Sequence, residues 1–178
     1  QVSPARWLVT GAAGFIGSSL VEALLKLGQD VVGIDNFSAG NGAKLEAVEG
    51  RVDAQAWSRF SFREADVRNA GECETHCEGV RYVLHQAALT SVQGSIEEPL
   101  LTHENNVDGF LKLALAARRA HVESFVYASS ASVYGRGRDR PASESDPVAP
   151  ISPYGTTKWI NEVYADMFSH EEDPRFVG

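Results

Sequence analysis

Short apolar runs alternate with longer amphipathic segments along most of this chain. The apolar runs have the length and composition of buried strands, and they predict strands at Ala5–Thr10, Asp30–Asp35, Phe60–Glu64, Tyr82–Gln86 and Ser124–Ser129. The segments between and after them predict helices at Phe15–Leu27, Ala43–Arg59, Ala70–Gly79, Ser95–His121 and Pro153–Phe168. The last residues, Arg175–Gly178, have the pattern of the beginning of a sixth strand that is cut short.

The positions of prolines, glycines and apolar residues refine the predicted helices. Pro99 falls in the first turn of its helix, where a missing N–H is tolerated, and Pro153 occupies the first helical position after the capping residue Ser152. Gly50 predicts an irregularity within the helix over 43–59. The segment Phe110–Ala117 is apolar on more than one side, which is typical of a helix that is buried or forms an interface.

The alternation of strands and helices predicts an α/β fold with a doubly wound parallel sheet. Right-handed crossovers would place helices on both faces of the sheet. We expect the strand order 3-2-1-4-5 of a Rossmann fold, with a ligand crevice at the carboxyl ends of the strands. The 178 residues are enough for one domain, and we treat residues 1–178 as a single dinucleotide-binding domain.

Three glycines at intervals of three join the first strand to the first helix. Gly11 allows a sharp turn, Gly14 allows backbone N–H groups to approach a pyrophosphate, and Gly17 allows the helix to pack close to its strand. The phosphates would then lie at the positive N-terminal end of that helix. A glycine triplet alone is also compatible with a simple tight turn. Its position between a buried strand and a helix favours the phosphate-binding interpretation.

An acidic residue, Asp35, ends the second predicted strand. In a dinucleotide-binding fold this carboxylate lies where the adenosine ribose hydroxyls of NAD bind. No basic residue directly follows Asp35 to neutralise a 2′-phosphate, so the sequence favours NAD over NADP. Small residues after the fourth strand, Ala87 and Ala88, would let the backbone pass close to such a cofactor, or could serve packing alone.

Composition narrows the classes of function. Hydrophobic residues make up 43% and charged residues 22% of the chain, as in an ordinary soluble domain. The net charge of −8, with no basic stretch to offset it, argues against sequence-independent binding to nucleic acid. No apolar run is long enough to span a membrane, and the beginning lacks the pattern of a signal peptide.

The two cysteines do not form a metal motif. Cys73 and Cys77 lie four residues apart with His76 between them, but a fourth ligand and the usual spacing are missing. We therefore expect packed or exposed thiols and no metal site. Reduced cysteines are typical of a cytoplasmic protein.

Two hydroxyl-bearing segments supply the candidate chemistry. Tyr154 and Lys158 lie one turn apart on one face of the last predicted helix, so that the ammonium would stabilise a phenolate able to act as a base. Packing with a solvated lysine is the ordinary alternative. The serines of Ser129–Ser132 follow the fifth strand, where one could bind the substrate oxygen that gives up its proton, or could cap its own turn. Because both segments and the glycine turn meet at one edge of the sheet, we favour the catalytic interpretation.

The motifs along the chain resemble those of the extended short-chain dehydrogenase/reductase superfamily. The similarity is greatest to UDP-hexose 4-epimerases, particularly those acting on N-acetylated sugars, and covers their N-terminal half only. The matching motifs are Thr10–Gly17, Asp35–Ser38, His85–Ala88, Asn105–Gly109, Ser129–Gly135 and Ser152–Lys158. The resemblance implies an NAD-dependent isomerase that acts on a nucleotide sugar. We expect the lobe that completes the substrate site in that family to be missing from these residues.

By this resemblance, the cofactor residues follow the family's motifs. Those for the pyrophosphate would be Gly11, Gly14, Phe15, Ile16 and Gly17. The adenosine ribose would meet Asp35 and Asn36, the adenine Asp66 and Val67, and the nicotinamide side Ala87 and Ala88. Lys158 would bind the nicotinamide ribose, and Tyr154 would lie against the same end of the cofactor.

The resemblance also implies a mechanism by transient oxidation. Tyr154 would take the proton from the sugar 4-hydroxyl while a hydride passes to NAD, and Ser130 would polarise the oxygen. The 4-keto sugar would turn over before the hydride returns to its other face. Residues expected near the sugar nucleotide are Ser91, Asn106, Ser130 and Ser132. Thr90-Ser91 stands where relatives acting on acetylated sugars often have Gly-Ser, which leaves the sugar preference open.

Three alternatives remain at this stage. One is an isolated NAD-binding module without catalysis. The others are different nucleotide-sugar enzymes of the superfamily, such as a dehydratase or a reductase. Related 4,6-dehydratases carry an Asp-Glu pair after the equivalent of Ser130, whereas this chain has Ala131-Ser132, which argues against dehydration. We also expect a homodimer through the helices around Ser95–His121 and Pro153–Phe168, as in the family.

Overall fold

A computed structural model describes residues 3–137, 140–169 and 174–178 of the chain. The strands are β1 (Arg6–Thr10), β2 (Asp30–Asp35), β3 (Phe60–Glu64), β4 (Tyr82–His85), β5 (Ser124–Tyr127) and β6 (Arg175–Val177). The α-helices are α1 (Phe15–Lys26), α2 (Ala43–Glu49), α3 (Ala54–Trp57), α4 (Ala70–Cys77), α5 (Val92–Glu97), α6 (Pro99–His103), α7 (Gly109–Arg119) and α8 (Pro153–Ser169). A π-helical turn covers Glu104–Asp108, and a 3-10 turn covers Ala131–Tyr134.

The strands form one parallel sheet in the order β3-β2-β1-β4-β5-β6. The predicted order is confirmed, and β6 adds the sixth strand, which pairs with β5 from Ser124 opposite Arg175. The direction of winding reverses between β1 and β4, where Thr10 lies opposite His85. A crevice forms at such a reversal, at the carboxyl ends of the strands.

Two apolar clusters cover the faces of the sheet. One contains Phe110, Leu113 and Phe125 together with residues of α4 and α8, and the other contains Val9, Leu25 and Val48. The ring of Phe110 packs edge-on against that of Phe125, at a centroid distance of 5.7 Å. Burial within this chain therefore explains most of the apolar surface of α7, since Phe110 and Leu113 lie in the first cluster and Leu111 packs against it.

The prediction of a continuous helix over 95–121 is wrong. The chain forms α5, α6, a π-helical turn and α7 in succession, and α5 already begins at Val92. Pro99 cannot donate a helical hydrogen bond, so α5 ends before it and Pro99 occupies the first position of α6. The predicted helix over 43–59 is two helices, α2 and α3, and the irregularity predicted at Gly50 is confirmed, since Gly50 caps the end of α2. Asp53 caps the second by accepting from the N–H of Ala56.

Both cysteines lie inside the protein. Cys73 and Cys77 are buried, free thiols of α4, and burial raises the pKa of each to about 12. Within the described ranges, no three His, Cys, Asp or Glu side chains come together in a way that could hold a metal ion. Among the helices that the structure describes, none is long and apolar enough to cross a membrane.

Candidate functional site

A cavity of about 380 Å³ opens at the carboxyl edge of the sheet, beside the reversal between β1 and β4. Of the residues predicted to hold the cofactor, it is lined by Gly11, Gly14, Phe15, Ile16, Gly17, Asp35, Asn36, Val67, Ala87 and Ala88. Sequence reasoning missed further lining residues, which are Ile34, Ser38, Ala39, Gly40, Lys44, Ala65, Gln86, Thr90 and Asn105. Most of these belong to irregular segments after strands, where no periodic pattern marks them.

The glycine turn forms the floor of this cavity and requires its glycines. Gly11 has a φ of +65°, and a Cβ on it would lie 2.9 Å from the backbone of Ala87. A Cβ on Gly17 would lie 2.1 Å from the carbonyl oxygen of Gly11. Among the described residues no side chain caps α1, and its first turn contains no acidic residue. The N-terminal N–H groups of α1 therefore remain available to an anion.

Asp35 is tied to the glycine turn. One carboxylate oxygen accepts from the N–H of Ala13 at 2.9 Å, and the other accepts from the N–H of Phe37 at 2.8 Å. These bonds fix the carboxylate in the cavity wall at the end of β2. The carboxylate therefore lies on the cavity side where the turn and the loop after β2 meet.

Asp66 does not line the cavity, although its neighbour Val67 does. Its carboxylate forms an ion pair with Arg68 at 2.6 Å and accepts from the Asn36 amide at 3.0 Å. Hydrogen bonds from Arg68 hold the pKa of this carboxyl well below its usual range. The observed contacts of Asp66 therefore orient Asn36, which is itself a lining residue.

Beneath the two alanines lies a buried polar pair that the sequence did not reveal. The hydroxyl of Thr10 accepts from the N–H groups of Gln86 and Ala87 and lies 2.7 Å from Nδ1 of His85. With its lone pairs engaged, this hydroxyl donates to Nδ1, so the ring proton lies on Nε2. Burial and the charge of Lys158 lower the pKa of His85 to about 3, and the imidazole is neutral at physiological pH.

Tyr154 and Lys158 lie one turn apart in α8, and both are buried outside the cavity lining. The ammonium of Lys158 donates to the carbonyl of Ala128 at 2.9 Å. Burial lowers the pKa of Lys158 to about 8. The backbone N–H of Tyr154 donates to the hydroxyl of Ser95 at 3.1 Å, which fixes the beginning of α8 against α5.

The serines after β5 pack against the beginning of α8. Ser130 caps the 3-10 turn and accepts from the N–H of Ser132 at 3.2 Å. A Cβ on Gly155 would lie 2.6 Å from the carbonyl oxygen of Ser132, so the turn and the helix are in direct contact. Ser129 donates a short hydrogen bond to Glu162, one turn after Lys158. Ser130 is thereby brought to the same end of α8 as Tyr154.

Two predicted substrate residues have structural partners. Ser91 caps α5 by accepting from the N–H of Gly94 at 2.9 Å. The side chain of Asn106 is engaged with Leu89 through both the N–H and the carbonyl, and with the hydroxyl of Thr157. Asn106 is only 1% exposed, so its amide holds the segment after β4 in place. It lies within the π-helical turn, a feature that often occurs at functional sites.

Comparison with known proteins confirms the predicted resemblance. The model of the NAD dependent epimerase/dehydratase family matches residues 7–178. The UDP-glucose 4-epimerase of Mycolicibacterium smegmatis is 41% identical over 170 residues, which cover 94% of this chain and 52% of that protein. The chain spans about half the length of the curated relatives that it matches.

Solved structures show the same architecture. A UDP-N-acetylglucosamine 4-epimerase from Methanobrevibacter ruminantium, in complex with UDP-N-acetylmuramic acid, superposes with a TM-score of 0.87 at 32% identity, covering 98% of this chain and 54% of that one. A dTDP-glucose 4,6-dehydratase from Streptomyces venezuelae with bound NAD also superposes with a TM-score of 0.87, at 33% identity, covering 96% of this chain and 53% of that one. Both of these enzymes are named for a nucleotide-sugar substrate, UDP-N-acetylglucosamine in one and dTDP-glucose in the other.

Proposed function

Because the chain belongs to the NAD dependent epimerase/dehydratase family, we propose that it is the cofactor-binding, N-terminal part of a nucleotide-sugar 4-epimerase. The observation that carries this proposal is the cavity at the carboxyl edge of the sheet, with Asp35 fixed beside a glycine turn. The available N–H groups at the beginning of α1 suit a pyrophosphate, and a carboxylate beside them suits the ribose hydroxyls. The cofactor is NAD, and the substrate is a UDP-hexose.

The cofactor would be held by the residues that line the cavity. The turn Gly11–Gly17 would bind the pyrophosphate, Asp35 with Asn36 the adenosine ribose, and Val67 the adenine. Asp66 would support Asn36 through their hydrogen bond. Ala87 and Ala88 would lie along the nicotinamide side. The N–H of Ala87 donates to the hydroxyl of Thr10, which holds this backbone in place. NAD, when bound, supplies an acceptor for the hydride at sugar C4 and returns that hydride later.

The proton at the sugar 4-hydroxyl would be handled by residues of α8 and of the turn after β5. We assign Tyr154 as the base, which accepts the proton at its phenolic oxygen and returns it in the second half-reaction. Lys158 would favour the phenolate by its charge and would bind the nicotinamide ribose. Its low pKa still leaves much of the ammonium protonated near pH 7. Ser130, at the same end of α8, would donate to the substrate oxygen.

The sugar nucleotide would extend from this centre past Ser132 and Ser91. We propose that Asn106 acts by positioning the segment at Leu89, because its amide is already engaged by the protein. A dehydratase is the second candidate, since one of the matched structures is a dTDP-glucose 4,6-dehydratase. The small residues Ala131-Ser132 in the 3-10 turn offer no acid for elimination of water, which favours epimerisation.

Titration with NAD tests the cofactor assignment. We expect the protein to bind NAD and to bind NADP much more weakly, as measured by isothermal titration calorimetry. Asp35→Asn should weaken NAD binding about tenfold or more, because it removes the charge that accepts both ribose hydroxyls. Asp30→Asn, at the exposed beginning of the same strand, is the matched control and should leave the affinity unchanged. No binding by the wild type at millimolar NAD would contradict the assignment.

Turnover of UDP-hexoses separates the epimerase from an isolated NAD-binding module. The epimerase interconverts UDP-glucose and UDP-galactose, or their N-acetylated forms. In that case Tyr154→Phe should abolish conversion and leave NAD affinity within about twofold, because the ring is kept and only the reacting oxygen is lost. Turnover is assayed in the full-length protein, where NAD binding without turnover would identify the module instead.

The buried free thiols of Cys73 and Cys77 favour a reducing compartment, and we propose that the protein is cytoplasmic.

A further inference from the structure

The cavity is lined by two charged side chains among the described residues, Asp35 and Lys44. Asp35 is engaged by two backbone N–H groups, and Lys44 stands without an ion-pair partner in the described part of the chain. By contrast, Lys26 on α1 pairs with Glu22 at 2.6 Å. A half-buried lysine facing a cavity without a carboxylate partner is a candidate ligand for an anion.

The loop after β2 brings Lys44 to the phosphate end of the cavity. Ser38, Ala39 and Gly40 line the cavity, and a Cβ on Gly40 would lie 3.0 Å from the backbone of Ala13. This loop therefore rests directly on the glycine turn. The next element, α2, is anchored by the buried side chains of Leu45 and Val48. Lys44, the neighbour of Leu45, lines the cavity instead of entering that core.

We propose that the ammonium of Lys44 binds the pyrophosphate of the dinucleotide from the side of this loop. The inference rests on the proposed NAD site and adds a residue to it. A pyrophosphate carries two negative charges, whereas the end of a helix offers about half a positive charge. The chain as a whole has a net charge of −8, so a local cation is needed to offset repulsion of an anionic ligand. Among the lining residues, Lys44 is the one that supplies it.

Replacement of Lys44 by a neutral residue tests this role. Lys44→Gln should weaken the binding of NAD and of ADP about tenfold in isothermal titration calorimetry, because a charge-assisted hydrogen bond to phosphate is lost. The binding of adenosine, which lacks phosphate, should not change. NAD affinity should also fall less steeply as the salt concentration is raised from about 50 to about 200 mM, because one ionic contact has been removed. Lys44→Arg should restore most of the affinity.

The control and the alternative outcomes separate this inference from the proposed function. Lys26→Gln removes a lysine from α1 outside the cavity and should bind NAD as the wild type does. If the wild type binds NAD and Lys44→Gln binds it with the same affinity, the role of Lys44 is overturned and the proposed NAD site stands. A loss for NADP alone would assign Lys44 to a 2′-phosphate, which also overturns the inference. Absence of NAD binding by the wild type would overturn both.

Discussion

At the residue scale, Lys158 has an ammonium that is useful for chemistry and costly for folding. The side chain is 4% exposed, and burial lowers its pKa from 10.5 to about 8. The unfolded chain therefore binds more protons than the folded chain between these two values. Stability consequently rises as the pH increases through that interval, and the full cost of the buried charge is present below about pH 8. Catalytic sites commonly keep such unfavourable groups.

We predict that Lys158→Met is more stable than the wild type near neutral pH. The variant removes the buried charge but also loses the hydrogen bond to Ala128, so the net gain in the free energy of unfolding should be about 1–3 kcal/mol. The gain should disappear as the pH approaches 10.5, where the unfolded lysine also becomes neutral. Urea unfolding at a series of pH values measures it.

A second lysine provides the control for this prediction. Lys112 also donates to a backbone carbonyl, that of Arg68 at 2.8 Å, but it is only partly buried. Lys112→Met loses the same kind of hydrogen bond without removing a fully buried charge, so it should not be more stable than the wild type at pH 7. A destabilised Lys158→Met at pH 7 would contradict the prediction, because the ammonium would then contribute more through its contacts than it costs by burial.

The cofactor residues that the sequence predicted are those whose role depends on the local chain. Gly11, Gly14 and Gly17 follow from a strand, a turn and a helix in succession, and Asp35 follows from the end of the next strand. Thr10 and His85 meet only because β1 and β4 pair in a particular register. Lys44 reaches the cavity through the path of an irregular loop. Neither relation is encoded by nearby residues, so neither could be predicted.

At the element scale, the segment from α5 to α7 shows what a periodic pattern does not reveal. The apolar period of the sequence continues through this segment, so a single helix was the natural prediction. Pro99 divides it because a proline cannot donate a helical hydrogen bond. The π-helical turn at Glu104–Asp108 then separates α6 from α7 and shifts the helical register of the residues that follow. These interruptions place Asn106 and Ser95 against α8. The supports of the site therefore come from the breaks in the helix.

We predict that Ser95 is the most important contact between α5 and the beginning of α8. Its hydroxyl accepts from the N–H of Tyr154 and donates to the carbonyl of Val92 at 2.6 Å. Ser95→Ala would leave a buried N–H at the beginning of α8 without a partner. The expected loss of unfolding free energy is about 1–3 kcal/mol. Hydrogen exchange at the amide of Tyr154 should become faster, since that N–H loses its acceptor.

The N-terminal cap of α5, Ser91, is the comparison. Ser91→Ala removes the hydrogen bond from Gly94 and should cost about 1 kcal/mol. The exchange of the Tyr154 amide should stay as in the wild type, because the Ser91 hydroxyl is bonded to Gly94 and makes no hydrogen bond to α8 within the described residues. Equal exchange at Tyr154 in both variants would mean that Ser95 contributes only to the stability of α5. The contact between α5 and the site would then have no positioning role.

At the scale of the whole molecule, the order of the sheet was predictable because it follows from chirality and from the alternation of elements. The positions of the exposed apolar side chains were less predictable from the sequence. The segment Phe110–Ala117 was expected to be buried or to form an interface, and most of it is packed into the core, with Leu115 40% exposed. A group of exposed apolar side chains lies on α5, α6 and α8, which pack together, and its members are Val92, Ile96, Leu100, Leu101, Trp159, Val163 and Met167. Trp159, Val163 and Met167 recur every four residues and form one stripe.

This apolar surface supports a homodimer, and we predict that one charge within it prevents assembly. Leu100 is 79% exposed on α6, which packs against α8. In a dimer formed through this face, Leu100→Glu would bury an unpaired carboxylate, which is strongly unfavourable. Sedimentation equilibrium at micromolar concentration should therefore give a dimer for the wild type and a monomer for the variant. The unfolding free energy of the variant monomer should change by less than about 0.5 kcal/mol, since the site is on the surface.

Leu27→Glu is the matched control, because Leu27 is 63% exposed but follows α1, away from the three helices of this surface. It introduces the same charge into a similarly exposed leucine, so a dimer through α5, α6 and α8 should survive it. Loss of the dimer in both variants would indicate that net charge, not this face, controls association. A wild-type monomer at high concentration would contradict the dimer itself. The apolar stripe on α8 would then have to be covered by something other than a second copy of the chain.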